Sequence, residues 1–353
     1  MKLVSFSVPT PVGAARRLGA LLDGDENGRI ADLTTCYLDW LTKSGDESKP
    51  RELAMLRVPP DMIGWLEGGA ASREAADHAL AHARACLATG PNPQRSDGAR
   101  LVFARDEVKL LAALPRPRTL RDFSIYEEHM TRSRADYDKK PVWYTNPPYY
   151  KGNPDSFVSP GDPIPFPYYT ERLDLELEIG IIVGKQGRNL SFEQAKQHIA
   201  GFAILIDPSC RDGNEREPFG PTKRKDFSNS LGPCLVTADE ISDANLAVRL
   251  SVDGEVWFEG NTGHKRSFSA EQLVAYVSDN ETIYPGDVIG TGTVGFACSM
   301  DHHKWIKVGQ TATFWVEGIG SLTHPVVKGE RVVEHVKGMK GMLAYLGPKA
   351  KAV

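Results

Sequence analysis

No apolar run in this chain approaches the ~20 residues that span a bilayer, and the opening MKLVSFSVPTP lacks a signal peptide's apolar centre. The expectation is a cytoplasmic protein that does not enter membranes. An excess of positive charge is missing too: 42 Lys and Arg against 46 Asp and Glu leave a net charge of −4. That argues against a polyanion-binding surface, and nucleic acid is not an expected partner. Cysteine is sparse. Cys36, Cys86, Cys210, Cys234 and Cys298 are scattered, odd in number and without close pairs. Reduced thiols in a cytosolic setting fit this best, with neither a disulfide framework nor a zinc cluster. No internal repeat is evident.

What is present looks globular. At 353 residues, with 41% hydrophobic and 25% charged, the chain has room for a large core and two domains. Its 33 Gly and 24 Pro imply many turns, hence a β-rich fold. Residues 1–115 read as an α+β unit, with short strands at Lys2–Ser7, Arg17–Leu22 and Arg29–Leu33 and a helix at Ala71–Ala88. His78 and His82, four apart on that helix, could bind a metal in principle. The acids and arginines around them favour a solvated amphipathic helix instead. A Pro/Arg linker, Leu114–Arg118, leads into residues 116–353, which read as mostly β with a few helices.

The most informative stretch is Leu173–Lys185, LDLELEIGIIVGK. Its period-two alternation makes a half-buried strand, with Leu173, Leu175, Leu177 and Ile179 on one face and Asp174, Glu176 and Glu178 on the other. Side chains two apart lie roughly 7 Å from each other, so Glu176 and Glu178 can converge on one ion. Three acids on one face repel unless they are solvated, as on an edge strand, or bridged by a cation. Other residues point the same way. Asp207 ends the apolar run Gly201–Ile206, where it could reach into a site or cap the following loop. Asp122 and His129, seven apart, would share a helix face. Lys223-Arg224-Lys225 brings cations to the loop after Asp207, as charge compensation or as a solvated turn. Carboxylates with a single histidine favour Mg2+ or Mn2+, less so Ca2+, over zinc.

These motifs in order resemble the fumarylacetoacetate hydrolase family over roughly residues 116–330: Glu176-Leu177-Glu178 with Gly184-Lys185, Asp207 with the Ser209–Asp212 loop, Lys225-Asp226-Phe227, and Thr291-Gly292-Thr293. The resemblance implies a mixed β-sandwich or roll catalytic domain, preceded by the smaller variable domain that many bacterial members carry. It also implies a homodimer and a divalent ion held by Asp122, Glu176, Glu178 and Asp207. By the same resemblance His129 deprotonates water, and Lys225, Arg211 and Thr293 contact substrate oxygens, with Asn214, Tyr150, Tyr126 and Gly292 nearby. The chain departs from the family at Asn214, where a Gln is usual. It departs again after Thr293, where Val294–His303 replaces a Pro and Gly pattern. Asp301-His302-His303 reads as a surface loop rather than an extra ligand set, and Glu127, Glu128 and Asp301 compete as the acid that orients His129.

The implied reaction is metal-assisted hydrolysis of a C–C bond in a β-diketo acid or acylpyruvate, a catabolic step on a small keto acid. Decarboxylation, isomerisation, hydration or sugar-acid dehydration could run on the same scaffold. A non-catalytic binding protein and a calcium-stabilised β-protein are the rivals of another class.

Overall fold

The structure, a computed structural model, describes residues 1–24, 28–133, 141–212 and 220–330. The expected mostly-β, α+β fold is what it has. Its largest element is an 11-stranded sheet. Along one path the strands are Val102–Phe103, Ile30–Asp32, Gly13–Leu21, Lys2–Thr10, Ser230–Thr237, Ile199–Cys210, Leu173–Val183, Asp287–Gly290, Thr119–Phe123 and Tyr149–Gly152. Neighbours on this path are antiparallel, except that Asp287–Gly290 runs parallel to Thr119–Phe123. Lys2–Thr10, near the chain's start, hydrogen-bonds to Ser230–Thr237, so the sheet runs on from the first strands of the chain into those of the later part. A second, five-stranded sheet is ordered Glu255–Asn261, Ala247–Val252, Thr311–Val316, Gly320–Lys328 and Ile164–Phe166.

Local chemistry explains many of the boundaries. Ser191 and Ser269 cap their helices through capping boxes with Gln194 and Gln272. Asp253 (φ 51°) and Gly254 (φ 83°) take the left-handed conformations that a two-residue hairpin turn needs. Two expectations change. The acidic strand is neither half-exposed nor at an edge: all eleven residues of Leu173–Val183 are buried between two neighbouring strands. The strand carrying Asp207 does not stop there but continues to Cys210, because Pro208, Ser209 and Cys210 pair with Leu175, Asp174 and Leu173.

The core lies on both faces of the large sheet. Leu173, Leu175, Leu177 and Ile179 pack with Phe314, Leu322 and Val294 on one side. Ile182, Leu205 and Val288 pack with residues of the N-terminal helices on the other. Burying the acids' strand on both faces is what forces those carboxylates to find partners.

Candidate active site

Three strands bring the acids together. Glu176 lies directly opposite Asp207 in the antiparallel register, and Glu178 opposite Leu205. Like charges facing each other across a ladder are destabilising unless something neutral or positive intervenes. Asp122 does not sit on a helix with His129, as the sequence spacing suggested. It belongs to the strand Thr119–Phe123, paired with Gly290 on one side and Tyr150 on the other. His129 is on the helix Glu127–Ser133 that follows.

One oxygen each from Asp122, Glu178 and Asp207 lies within 4.8 Å of the others, and all three residues are buried. Asp122 Oδ1 and Asp207 Oδ1 have no hydrogen-bond partner. Burial, reinforced by Asp122, pushes Glu178 well above the usual carboxylate range. Burial likewise raises Asp207, although Lys225 pulls against it, and raises Asp122. A Cβ at Gly290 would come within 2.3 Å of Asp122 Oδ1 and 2.9 Å of Glu178 Oε2, so glycine leaves the space these oxygens use. Orphaned hard oxygens around a small gap are the donor set that Mg2+ or Mn2+ takes, and a divalent ion fits here.

Glu176 adjoins this group with both oxygens engaged. Thr293 Oγ1 donates to Oε1 at 2.6 Å, and Arg211 also bonds Oε1. Ser209 Oγ donates to Oε2 at 2.7 Å and Lys225 Nζ at 2.5 Å. Burial opposes ionisation, but Arg211 and Lys225 outweigh it and hold Glu176 well below the carboxylate range. Lys225 also bonds Asp207, and its ammonium lies 5.4 Å from the Tyr150 ring centroid. Burial works against that charge too, yet Asp207 and Glu176 raise its proton affinity.

His129 is clamped between carboxylates. Nδ1 lies 3.2 Å from Asp301 Oδ2 and Nε2 3.1 Å from Glu176 Oε1. Burial disfavours the imidazolium, but Asp301 and Glu176 overcome it and push the pKa up to about 9. Asp301 is fully buried, so the surface-loop reading of Asp301-His302-His303 does not hold for it. Of the three candidate orienting acids it is the one in contact; Glu128 meets His264 and Lys265 instead, and Glu127 accepts from Tyr144.

The pocket over these groups is lined by Asp122, His129, Tyr149, Tyr150, Glu176, Glu178, Arg211, Arg224, Lys225 and Thr293, with Phe123, Met130, Pro148 and Met300 supplying apolar wall. Tyr126 is elsewhere: it is buried in the core and its hydroxyl donates to the Thr262 carbonyl at 3.0 Å. Gly292 acts through its backbone, donating to Glu178 Oε2 at 3.2 Å from a left-handed conformation (φ 82°). Asn214 lies outside the described residues. Sequence reasoning gave Asp174 and Ser209 no role. Asp174 holds Arg211 at 2.8 Å and caps Ser299 N–H at 2.7 Å. Its place on the acidic face of Leu173–Val183 was the available signal.

Residues 118–327 match the model of the Fumarylacetoacetate (FAA) hydrolase C-terminal family. Human mitochondrial oxaloacetate tautomerase FAHD2A is 31% identical over 277 residues, covering 76% of this chain and 81% of that protein. An uncharacterized Pyrococcus abyssi protein is 30% identical over 59% of this chain and 89% of its own length. Among solved structures, a fumarylacetoacetate hydrolase from Exiguobacterium antarcticum superposes with a TM-score of 0.65 at 23% identity, covering 93% of this chain and 100% of that one. A maleylpyruvate hydrolase from Sphingobium sp. SYK-6, in complex with manganese(II) and pyruvate, gives 0.62 at 22%, covering 94% and 100%. The chain belongs to the fumarylacetoacetate hydrolase family.

Proposed function

We propose that this protein hydrolyses a C–C bond in an acylpyruvate or related β-diketo acid, with His129 as the base that activates water. The observation carrying this reading is the contact between His129 Nδ1 and Asp301, beside the carboxylate group of Asp122, Glu178 and Asp207. A buried carboxylate on Nδ1 orients the ring and makes Nε2, 3.1 Å from Glu176 Oε1, the atom that takes and returns a proton. Asp122, Glu178 and Asp207 would hold a divalent ion, Mg2+ in this reading, with Glu176 flanking it. That ion supplies Lewis acidity toward the carbonyl and carboxylate oxygens of a 2-oxo acid.

The chain's own residues do the rest. Water gives its proton to Nε2 of the neutral fraction of His129, which grows as pH rises toward about 9, so cleavage should speed up over that range. The hydroxide adds to the distal carbonyl carbon. The C–C bond breaks, its electron pair leaves as an enolate, and that carbon takes a proton to give a 2-oxo acid beside a carboxylic acid. Lys225 and Arg211 face the pocket with fixed positive charge for the developing anion. Tyr149 and Tyr150 form the wall against which the substrate's tail would lie. A homodimeric, cytoplasmic enzyme of keto-acid catabolism belongs to this reading. Among the described residues no helix is long and apolar enough to cross a membrane.

A second reading is keto–enol tautomerisation of a 2-oxo diacid. It is supported by the raised proton affinity of His129, which makes the imidazolium a donor to an enol carbon, and by the name of the human relative. A substrate panel separates the two. Acylpyruvates should yield two acid fragments per turnover, whereas enol-oxaloacetate should change its ultraviolet absorption without fragmenting. His129→Ala should lower kcat for cleavage by about 10²–10⁴ while Mg2+ affinity, read by calorimetry, stays near wild type. Full activity in that variant rejects the base assignment. Turnover of oxaloacetate alone moves the assignment to the second reading.

A further inference from the structure

A second cluster lies far from the pocket in the N-terminal helices. The helix Leu33–Ser44 packs against Gly69–Thr89, with Trp40 stacked on His78 at 4.3 Å between ring centroids and on Tyr37 at 5.6 Å. Beside this stack, His82 Nε2 lies 2.8 Å from Asp39 Oδ2 and 3.4 Å from Cys86 Sγ. The Asp39 and His82 side chains keep only 5% and 12% exposure. The solvated face expected for this helix is therefore not what surrounds His82.

Which nitrogen is used decides what the cluster can do. A nucleophilic Cys-His-Asp relay needs the thiol and the carboxylate on opposite ring nitrogens. Here both converge on Nε2, which excludes a relay and suits three ligands pointing at one centre. His82 and Cys86 are one helical turn apart on the same face, and Asp39 comes from the neighbouring helix. With Zn–N near 2.0–2.1 Å and Zn–S near 2.3 Å, a tetrahedral site puts N and S about 3.5 Å apart. The observed 3.4 Å matches. N and O would stand about 3.4 Å apart, so Asp39 must retreat by roughly half an ångström. Lys43 now holds Asp39 Oδ2 at 2.8 Å, one turn along the same helix. Its side chain is 58% exposed and can swing into water when a cation takes its place.

We propose that Asp39, His82 and Cys86 form a second metal site, for Zn2+, that clamps the helix Leu33–Ser44 to the helix Gly69–Thr89. Binding releases the thiol proton of Cys86 to solvent, His82 coordinates as neutral imidazole, and water completes the fourth position. A thiolate and an imidazole make this site borderline-soft, whereas the all-oxygen group of the pocket is hard, so the two select different ions.

The test titrates Co2+, and then Zn2+, into EDTA-treated full-length protein in the presence of saturating Mg2+. We expect one Co2+ per chain with a thiolate-to-cobalt charge-transfer band, displaced by Zn2+. Cys86→Ser should abolish the band and weaken Zn2+ by more than about tenfold, since even an outer-shell partner is worth about 10–100-fold. Cys298→Ser, which removes the thiol 3.9 Å from His129, should leave the band in place. Lys43→Ala removes the competing cation and should tighten Zn2+ several-fold; a mere hydrogen-bond network would give no such gain. Circular dichroism of metal-free Cys86→Ser checks that the helices persist. A wild-type protein with no band, or a band surviving in Cys86→Ser, overturns the proposal, as does weaker Zn2+ binding in Lys43→Ala.

Discussion

Leu173–Val183 and Thr311–Val316 both begin by alternating apolar and polar residues, and their polar positions end in opposite surroundings. Along Thr311–Val316 every second residue is buried and the others are partly exposed. Along Leu173–Val183 both faces are sealed, one by the apolar core and the other by a site of carboxylates, Lys225, Arg211 and His129. Alternation reports which face a side chain takes; it does not report what lies beyond that face. The difference is in residue type. Thr311, Thr313 and Trp315 tolerate partial wetting, whereas Asp174, Glu176 and Glu178 can be buried only against cations, donors or one another.

The largest expected effect tests the face that the two strands share. Leu177 is fully buried on the apolar side of the acidic strand. Leu177→Ala should destabilise by about 2–5 kcal/mol in chemical denaturation, through lost burial and the cavity left behind. A smaller loss would mean the core can collapse around that position. Next comes the acidic face. Glu178 is raised by burial and by Asp122, so its charge is a liability without a cation. Glu178→Gln should stabilise EDTA-treated protein by about 1 kcal/mol or more, roughly 1–2 °C in Tm for a chain of 353 residues. The same variant should weaken Mg2+ by at least about 10–100-fold. A variant that melts lower without metal would mean that Glu178 is a structural hydrogen-bonding group.

How much could be read beforehand follows from the range of the interactions. The Asp253-Gly254 turn, the capping boxes at Ser191 and Ser269, and the alternation of Leu173–Val183 are local signals, each carried by residues only a few positions apart. Spacing alone puts Asp122 on a helix, because its strand owes its existence to distant pairing with Asp287–Gly290 and Tyr149–Gly152. In the sequence Asp207 looks like a strand end, at the close of the apolar run Gly201–Ile206, whereas the pairing partner extends to Leu173. Asp301 meets His129 across 172 positions, so the sequence leaves it level with Glu127 and Glu128 as the orienting acid. Asp39 likewise reaches His82 across 43 positions, from a helix whose own sequence shows no ligand spacing.

The smallest expected effect separates pattern from chemistry. Thr313 and Thr323 face each other across Thr311–Val316 and Gly320–Lys328, with hydroxyl oxygens 3.0 Å apart on the half-buried face. Such a cross-strand pair is worth about 0.2–1 kcal/mol. Thr313→Glu creates an acid at an alternating position, as in the acidic strand, but one whose carboxylate reaches water. Its cost should stay within about that same range, and its Tm should be indifferent to added Mg2+ beyond the wild-type response. A Mg2+-dependent rescue of Thr313→Glu would show that an alternating acid alone recruits the ion. Without it, the requirement is the sealed face, where Asp122, Glu178 and Asp207 crowd one another beside Lys225 and the space left by Gly290.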